Sequence, residues 1–251
     1  MNKKKILKVG IILIGDELLN GSRQDKHMAT VITLLQQRGM NLAWVRIVAD
    51  NEAQLVQTFK DTFRSDEIVF SFGGIGATPD DLTRACAAKA MGNSLVTHPQ
   101  AVALIEEQFG EAAYPNRILM SELPQGAKII PNPINQVPGF SLQHHHFVPG
   151  FPSMAWPMVE WVLEHQYTEH FNKNPDIDRR WTLKGAIESE LLGMMNELLD
   201  TFPQVRLSSL PNTQKRHHID FGLKGQKDNV AEAGIWLENY LDGLDLTYQR
   251  Q

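Results

Sequence analysis

Apolar residues in the first third of the chain follow two alternating rhythms. Lys8 to Ile14 (KVGIILI) is a continuous apolar run, as expected of a strand covered on both faces. Asp25 to Arg38 then carries Met28, Val31, Ile32, Leu34 and Leu35 at helical spacing and stops at Gly39. Leu42 to Val48 (LAWVRIV) predicts a second strand, and Asn51 to Phe63 a helix with Leu55, Val56, Phe59 and Phe63 on one face. Glu67 to Phe72 (EIVFSF) predicts a third strand running straight into Gly73-Gly74-Ile75-Gly76, and Pro79 to Met91 a further helix. Strands and helices alternating over short connections mean a parallel sheet with right-handed crossovers.

The pattern is more broken from Ala127. AKIIPNP, VPGFSLQ and HHFVPGFP predict short strands closing the same domain, followed by a helix from Ser153 to His165. Tyr167 to Arg180 is polar and aperiodic, and reads as a linker. The tail reads strand (Trp181 to Leu183), helix (Glu188 to Leu199), strand (Val205 to Leu210), strand (His218 to Leu223) and helix (Asp228 to Leu241). The expected organisation is an α/β domain over 1–167 and a small α+β domain over 168–251, without internal repeats.

Composition narrows the function classes. Of 251 residues, 42% are hydrophobic and 21% charged, an ordinary globular balance. Lys and Arg total 24 against 29 Asp and Glu, so the chain lacks the basic field a nucleic-acid binder uses to neutralise phosphates. Arg179-Arg180 and Lys215-Arg216-His217-His218 are only modest basic spots. The longest apolar run, Val9 to Ile14, falls far short of the ~18 residues of a membrane span. Lys3-Lys4-Lys5 reads as a solvated lead-in to the first strand rather than a secretion signal, because Gly15-Asp16-Glu17 cuts the apolar stretch short. The expectation is a cytoplasmic protein with neither membrane nor nucleic acid as partner. Cys86, the only cysteine, sits among alanines and reads as a buried small apolar residue. The scattered tryptophans read as core or domain-contact residues.

Ligands of parallel α/β sheets sit at the carboxyl ends of the strands. Three of those ends carry polar or glycine-rich sequence here: Gly15-Asp16-Glu17, Ala49-Asp50-Asn51-Glu52 and Gly73 to Asp81. In the last, glycines permit a sharp turn and close approach to a ligand. Thr78 as N-cap, Pro79 at the first helical position and Asp81 in a capping-box position would aim a helix N-terminus at a phosphate. The loop is neither a P-loop nor a dinucleotide fingerprint. Capping alone equally explains Asp81, and capping is the plainer reading of Asp50-Asn51. Asp80 and Asp81 beside a phosphate would repel it unless a divalent cation bridges them, which points to metal-assisted chemistry. Glu17 reads otherwise as a solvated loop charge. His144-His145-His146 alternates faces and reads as an exposed turn entering a strand at His146 to Val148.

The ordered set Val9-Gly10 through Glu17-Leu18-Leu19, Gly21, Asp50-Asn51-Glu52, Gly73-Gly74-Ile75-Gly76 with Asp80-Asp81-Leu82-Thr83, Asn132-Pro133, Pro138-Gly139-Phe140 and Val148-Pro149-Gly150 resembles the molybdopterin-binding-like domain of the CinA (competence/damage-inducible protein A) and MogA/MoaB family, over roughly residues 8 to 165. The tail, with Gly185-Ala186-Ile187-Glu188-Ser189-Glu190-Leu191, resembles the small KH-type domain that follows in CinA. The resemblance implies an α/β three-layer fold with a mostly parallel sheet, then a small α+β KH-like domain.

It also implies metal-dependent hydrolysis of ADP-ribose-like or FAD-like diphosphates, with Asp50 and Asp81 at the metal (Mg, Mn or Co) and Asp80 and Glu17 assisting. Substrate contacts are expected at Gly15, Gly73, Gly74, Gly76, Thr78, Asn132, Pro133, Gly139, Gly150 and Ser153. Molybdopterin binding without hydrolysis and a non-catalytic interaction module are the alternatives. The ligand is then a nucleotide-like or pterin-like small molecule, and self-association is a further expectation. Where the family commonly has Gly-Pro-Thr-Lys-Asp-Asp, this chain has Ala77-Thr78-Pro79-Asp80-Asp81, without the lysine. Where it has Pro-Gly-Pro-Pro-x-Glu-Met, this chain has Pro149-Gly150-Phe151-Pro152-Ser153-Met154-Ala155. The middle glycine of Asn-Pro-x-Gly-x-Ala-Pro-Gly-Phe is absent from Asn132 to Phe140. The residues given do not extend to CinA's C-terminal amidohydrolase domain, so nicotinamide-nucleotide deamidation is not implied.

Overall fold

The computed structural model describes residues 7–212, 217–244 and 246–251. Lys3, Lys4, Lys5, Lys215 and Arg216 lie outside the described residues. The chain divides into two compact units, Met1–Asn172 and Lys173–Gln251.

The first unit is built on β1 (Val9–Ile14), β2 (Leu42–Val48), β3 (Ile68–Phe72), β4 (Leu95–Thr97), β5 (Glu122–Pro124), β6 (Lys128–Ile130), β7 (Gly139–Leu142) and β8 (His145–Val148). The main sheet runs β2-β1-β3-β8-β7-β6; β2, β1, β3 and β8 are parallel, and β7 and β6 join antiparallel. The helices are α1 (Asp16–Leu19), α2 (His27–Gln36), α3 (Glu52–Phe63), α4 (Thr83–Met91), α5 (Pro99–Phe109) and α6 (Pro152–Gln166).

The continuous apolar run of β1 has a simple cause: Val9, Ile11 and Leu13 enter one core with Val31 and Leu35 of α2 and Met158, Val159 and Val162 of α6. Ile12 and Ile14 enter the opposite core with Leu55 and Phe59 of α3 and Ala87 of α4. Two cores on one sheet make three layers, the α/β architecture expected of the resemblance.

Several expectations need correction. The helix expected from Pro79 begins at Thr83. Thr78 is not its N-cap; instead Asp81 Oδ2 accepts hydrogen bonds from Thr78 N at 2.9 Å and Thr78 Oγ1 at 2.5 Å, closing a turn of its own. Residues 92–126, assigned no element by the hydrophobic pattern, form β4, α5, two 3-10 turns and β5, with β4 and β5 paired as a separate antiparallel ribbon. His145 and His146 are buried in β8, not exposed, and only His144 lies in the turn. His145 bonds Thr62 Oγ1 at 2.8 Å, while His146 bridges Ser141 Oγ at 2.8 Å and the Tyr167 hydroxyl at 2.7 Å. Tyr167, expected in a linker, is thus part of the core, and β9 (Ile177–Lys184) begins inside that stretch.

The second unit is a four-stranded antiparallel sheet in the order β10-β11-β9-β12, from β9, β10 (Arg206–Pro211), β11 (His218–Gly225) and β12 (Thr247–Arg250). Helices α7 (Leu192–Thr201) and α8 (Lys227–Gly243) cover it around Trp181, whose indole N–H donates to Glu238 at 2.8 Å. Arg180 is paired with Asp220 at 2.9 Å, so it is not a free basic spot. Among the described residues no helix is long and apolar enough to cross a membrane.

Candidate active site

The carboxyl ends of β1, β2, β3 and β8 open into one cavity of about 910 Å³ in the first unit. Its shape follows from how each strand ends. After β3, Gly73 and Gly74 take φ of 101° and 67°, left-handed values that favour glycine, and a Cβ on Gly73 would come within 2.7 Å of Ile14 O. The turn is tied down behind: Thr83 Oγ1 donates to Gly73 O at 3.0 Å and Thr83 N to Gly74 O at 2.9 Å.

The buried Arg84 guanidinium adds a second clamp. It donates to Gly76 O at 2.7 Å, Leu119 O at 2.6 Å and Glu122 O at 2.9 Å, joining the glycine turn to the 117–122 segment. Because Leu82 N and Thr83 N already donate to Asp80 O and Gly74 O, the expected helix N-terminal cradle is not free to bind a phosphate with those groups. The glycine turn itself lines the cavity.

Acidic side chains gather at one end. Asp50, ending β2, and Asp16, opening α1, exchange bonds: Asp16 N donates to Asp50 Oδ2 at 3.1 Å and Asp50 N to Asp16 Oδ1 at 3.2 Å. Burial pushes the Asp50 carboxyl above its ordinary value against the Asp16 amide, and the negative charges of Asp16, Glu17 and Asp80 push the same way. Glu17, Asp80 and Asp81 line the same cavity, Glu17 and Asp80 near enough to act on Asp50 and Asp81 on Arg84. The neighbouring Asn51 does a different job, capping α3 by accepting from Gln54 N at 3.1 Å.

A further part of the wall comes from the chain between α1 and α2, with Arg23, Asp25, Lys26 and His27 in the lining and Arg23 paired with Glu17 at 3.8 Å. Asp25, one residue before the N-cap Lys26, accepts from the first amides of α2, His27 N at 2.8 Å and Met28 N at 3.0 Å. His27 is buried against Phe72 with ring centroids 4.4 Å apart, and its Nε2 pairs with Gly150 O at 3.2 Å. That bond makes Nε2 the protonated nitrogen, and burial holds the ring's pKa below the usual histidine value. Apolar lining comes from Phe109, Met120, Val137, Phe151 and Met154.

The cavity therefore brings together Gly15, Glu17, Asp50, Gly73, Gly74, Gly76, Thr78, Asp80, Asp81 and Gly150 of the expected residues. Asn132, Pro133, Gly139 and Ser153 are not in its wall. Asn132 instead closes a turn, bonding Asn135 Oδ1 at 2.7 Å and Val137 O at 3.0 Å, and Gly139 sits in the core where a Cβ would press on Met158. Sequence reasoning passed over Arg23, Lys26, His27, Phe109 and Met120. Only Asp25 signalled that the α1–α2 connection turns back at the sheet's end.

As ligands these carboxylates are hard oxygen donors, suited to Mg or Mn. Among the described residues no three His, Cys, Asp or Glu side chains converge as a metal-holding group. The donor chemistry fits an ion held by one or two carboxylates and completed by ligand phosphate and water, since burial and the Asp16, Glu17 and Asp80 charges act against the Asp50 carboxylate.

Comparison with known proteins places the fold in a family. The family model described as "Probable molybdopterin binding domain" matches residues 10–169. A CinA-like protein of Escherichia coli is 31% identical over 245 residues, 93% of this chain and 60% of that protein. A CinA-like protein of Syntrophotalea carbinolica is 32% identical over 193 residues, 74% of this chain and 47% of that protein. The chain thus spans about half to three fifths of these two relatives. The crystal structure of the protein CinA with unknown function from Thermoplasma acidophilum superposes with a TM-score of 0.57 at 26% identity, covering 62% of this chain and 96% of that one. On the family match across residues 10–169, the chain belongs to the molybdopterin-binding domain family.

Proposed function

We propose that the cavity is the site of a metal-dependent hydrolase of nucleoside diphosphate derivatives of the ADP-ribose or FAD type. The observation that carries this reading is the meeting of a fixed glycine turn with Asp50, Asp80, Asp81 and Glu17 in one cavity that also has an apolar wall. A diphosphate ester with a ring at one end has the matching division of anionic and apolar parts.

In this reading the glycine turn at Gly73, Gly74 and Gly76 brings backbone close to the diphosphate, and Arg23 and Lys26 of the α1–α2 connection balance its charge. Asp50 and Asp81 hold a divalent cation that, when bound, supplies charge stabilisation at a phosphoryl oxygen. Asp50 Oδ2 stays engaged by the Asp16 amide, so Oδ1 is the oxygen turned to ligand and solvent. A water gives up its proton to a neighbouring carboxylate, Glu17 or Asp80, as its oxygen attacks one phosphorus. The phosphoanhydride bond breaks, and the other phosphate leaves with the bridging oxygen. One diphosphate and one water yield AMP and a second phosphomonoester.

The test is AMP release from ADP-ribose and FAD with Mg, Mn or Co supplied in turn. Metal-dependent AMP formation that vanishes in Asp50→Asn and Asp81→Asn supports the reading. Tight pterin binding without AMP release would favour the second reading, a molybdopterin-type ligand held without hydrolysis, to which the family's description and the apolar wall lend support.

A further inference from the structure

Phe151 is a large apolar side chain left 56% exposed while it lines the cavity. An exposed aromatic face in the wall of a cavity is free to take a flat ligand ring in offset stacking. Among the described residues Phe151 has no ring partner, unlike Phe72, which stacks on His27, and Phe109, which lies 4.8 Å below the Arg117 guanidinium. Its backbone, by contrast, is held at several points. Gly150 O, one peptide earlier, is bonded by His27 Nε2, and a Cβ on Gly150 would already touch Gly73 Cα at 3.4 Å. Phe151 O accepts from Met154 N at 3.0 Å and Ala155 N at 2.9 Å as the first turn of α6. Pro152, at the start of that helix, restricts Phe151 to the extended backbone it adopts, with φ −94° and ψ 117°.

An aromatic ring without a partner, on a backbone fixed in advance, loses little freedom when a flat ligand settles on it. We infer that Phe151 is the specificity-determining platform on which a heteroaromatic ring of the ligand stacks, so that the cavity selects phosphates carrying such a ring over ring-free ones. This rests on the cavity being a phosphate-ligand site, as proposed above. Met154, one turn into α6 and also in the lining, continues the apolar surface on the same side.

Phosphomonoester products separate the two claims, because they are bound without being consumed. FMN carries a ring and a phosphate; ribose 5-phosphate carries the phosphate and sugar only. Titration calorimetry of each with Mg present is run on the full chain, its Phe151→Ala variant and its Phe151→Trp variant, with thermal melting confirming the fold. Expected is a roughly tenfold weaker FMN affinity in Phe151→Ala, recovery in Phe151→Trp, and ribose 5-phosphate affinity constant within about twofold. Quenching of FMN fluorescence in the wild-type and Trp forms, and its loss in the Ala form, is the optical signature of stacking. Unchanged FMN affinity in Phe151→Ala overturns the platform and leaves the phosphate site standing. Equal weakening of both ligands also overturns it, since Phe151 would then act through loop shape. Wild-type binding of neither ligand overturns the platform together with the reading it rests on.

Discussion

Burial acts on two sets of titratable side chains around the same sheet, with opposite results. At the start of β8, His145 and His146 are enclosed by both cores, and burial lowers each to a pKa of about 3, so both are neutral. Their hydrogen bonds run to Thr62, Ser141 and Tyr167, groups that offer no charge. At the ends of β1 and β2, Glu17 and Asp50 open to a cavity, Asp16 lies against Asp50, and burial together with these like charges raises Asp50. The first set has had its charge removed and serves the fold. The second keeps its charge, which Arg23, 3.8 Å from Glu17, balances only in part, and in the function proposed above a ligand and ion complete it.

The sharpest way to break this contrast is to remove charge where it is kept. Asp50→Asn preserves an oxygen to accept from Asp16 N but removes the carboxylate. AMP release should fall by ~10²–10³-fold, the scale of losing one charge-stabilising group in a site. Melting temperature should hold or rise, because the carboxylate's raised pKa means that ionising it opposes folding at neutral pH. A fall in melting temperature with activity intact would give Asp50 a structural role like that of the histidines.

The converse experiment adds charge where it has been removed. The unfolded chain takes up protons on His145 and His146 near pH 6.5, and the folded chain only near 3. Stability is therefore complete above about pH 6.5 and declines as pH falls towards 3, by up to ~1.4 kcal/mol per pH unit for each histidine. Urea midpoints across that range measure the slope. His145→Phe keeps the ring stacked near Phe63 and leaves the Thr62 hydroxyl bonded to Thr58 O at 3.0 Å, so it should cut the slope by one proton. An unchanged slope would place the acid sensitivity elsewhere.

Arg84 tests a third arrangement, a buried charge hydrogen-bonded to three carbonyl oxygens with the Asp81 and Glu122 carboxylates nearby. Arg84→Lys cannot span Gly76, Leu119 and Glu122 at once. A loss of roughly 2–3 kcal/mol is expected in denaturant unfolding, with a weaker AMP-release rate as the glycine turn loosens. Stability loss without any change in rate would mean that the turn keeps its shape unaided.

These contrasts also explain what the sequence could and could not disclose. Strands such as KVGIILI are legible because both faces are covered, and the pattern alone says so. The polar strand ends are legible as a site for the same reason, since they interrupt apolar runs. The buried histidines are not, because the partners that satisfy their rings inside the core lie at Thr62, 83 positions from His145, and at Tyr167, 21 from His146. Thr78 to Asp81 misleads more subtly. The same Thr-x-x-Asp spacing caps a helix or closes a turn, and the choice falls to Thr83 Oγ1 bonding Gly73 O and Arg84 bonding Gly76 O. Residues 92–126 bury little of α5 beyond Ala101 and Ile105, so its periodicity is faint even though the segment delivers Phe109 and Met120 to the cavity.

The smallest effect sets neighbours against each other. Asp50 and Asn51 share one strand end, yet Asn51 turns its side chain back to Gln54 N at 3.1 Å, and only Asp50 lines the cavity. Asn51→Ala should cost about 1 kcal/mol in urea unfolding, the usual worth of an N-cap, with the rate of AMP release within about twofold. Asp50→Asn should do the reverse. A rate loss in Asn51→Ala comparable to that of Asp50→Asn would show that position along β2, rather than the direction of the carboxylate, controls the site, and the division between fold-holding and ligand-awaiting groups would fail at its closest point.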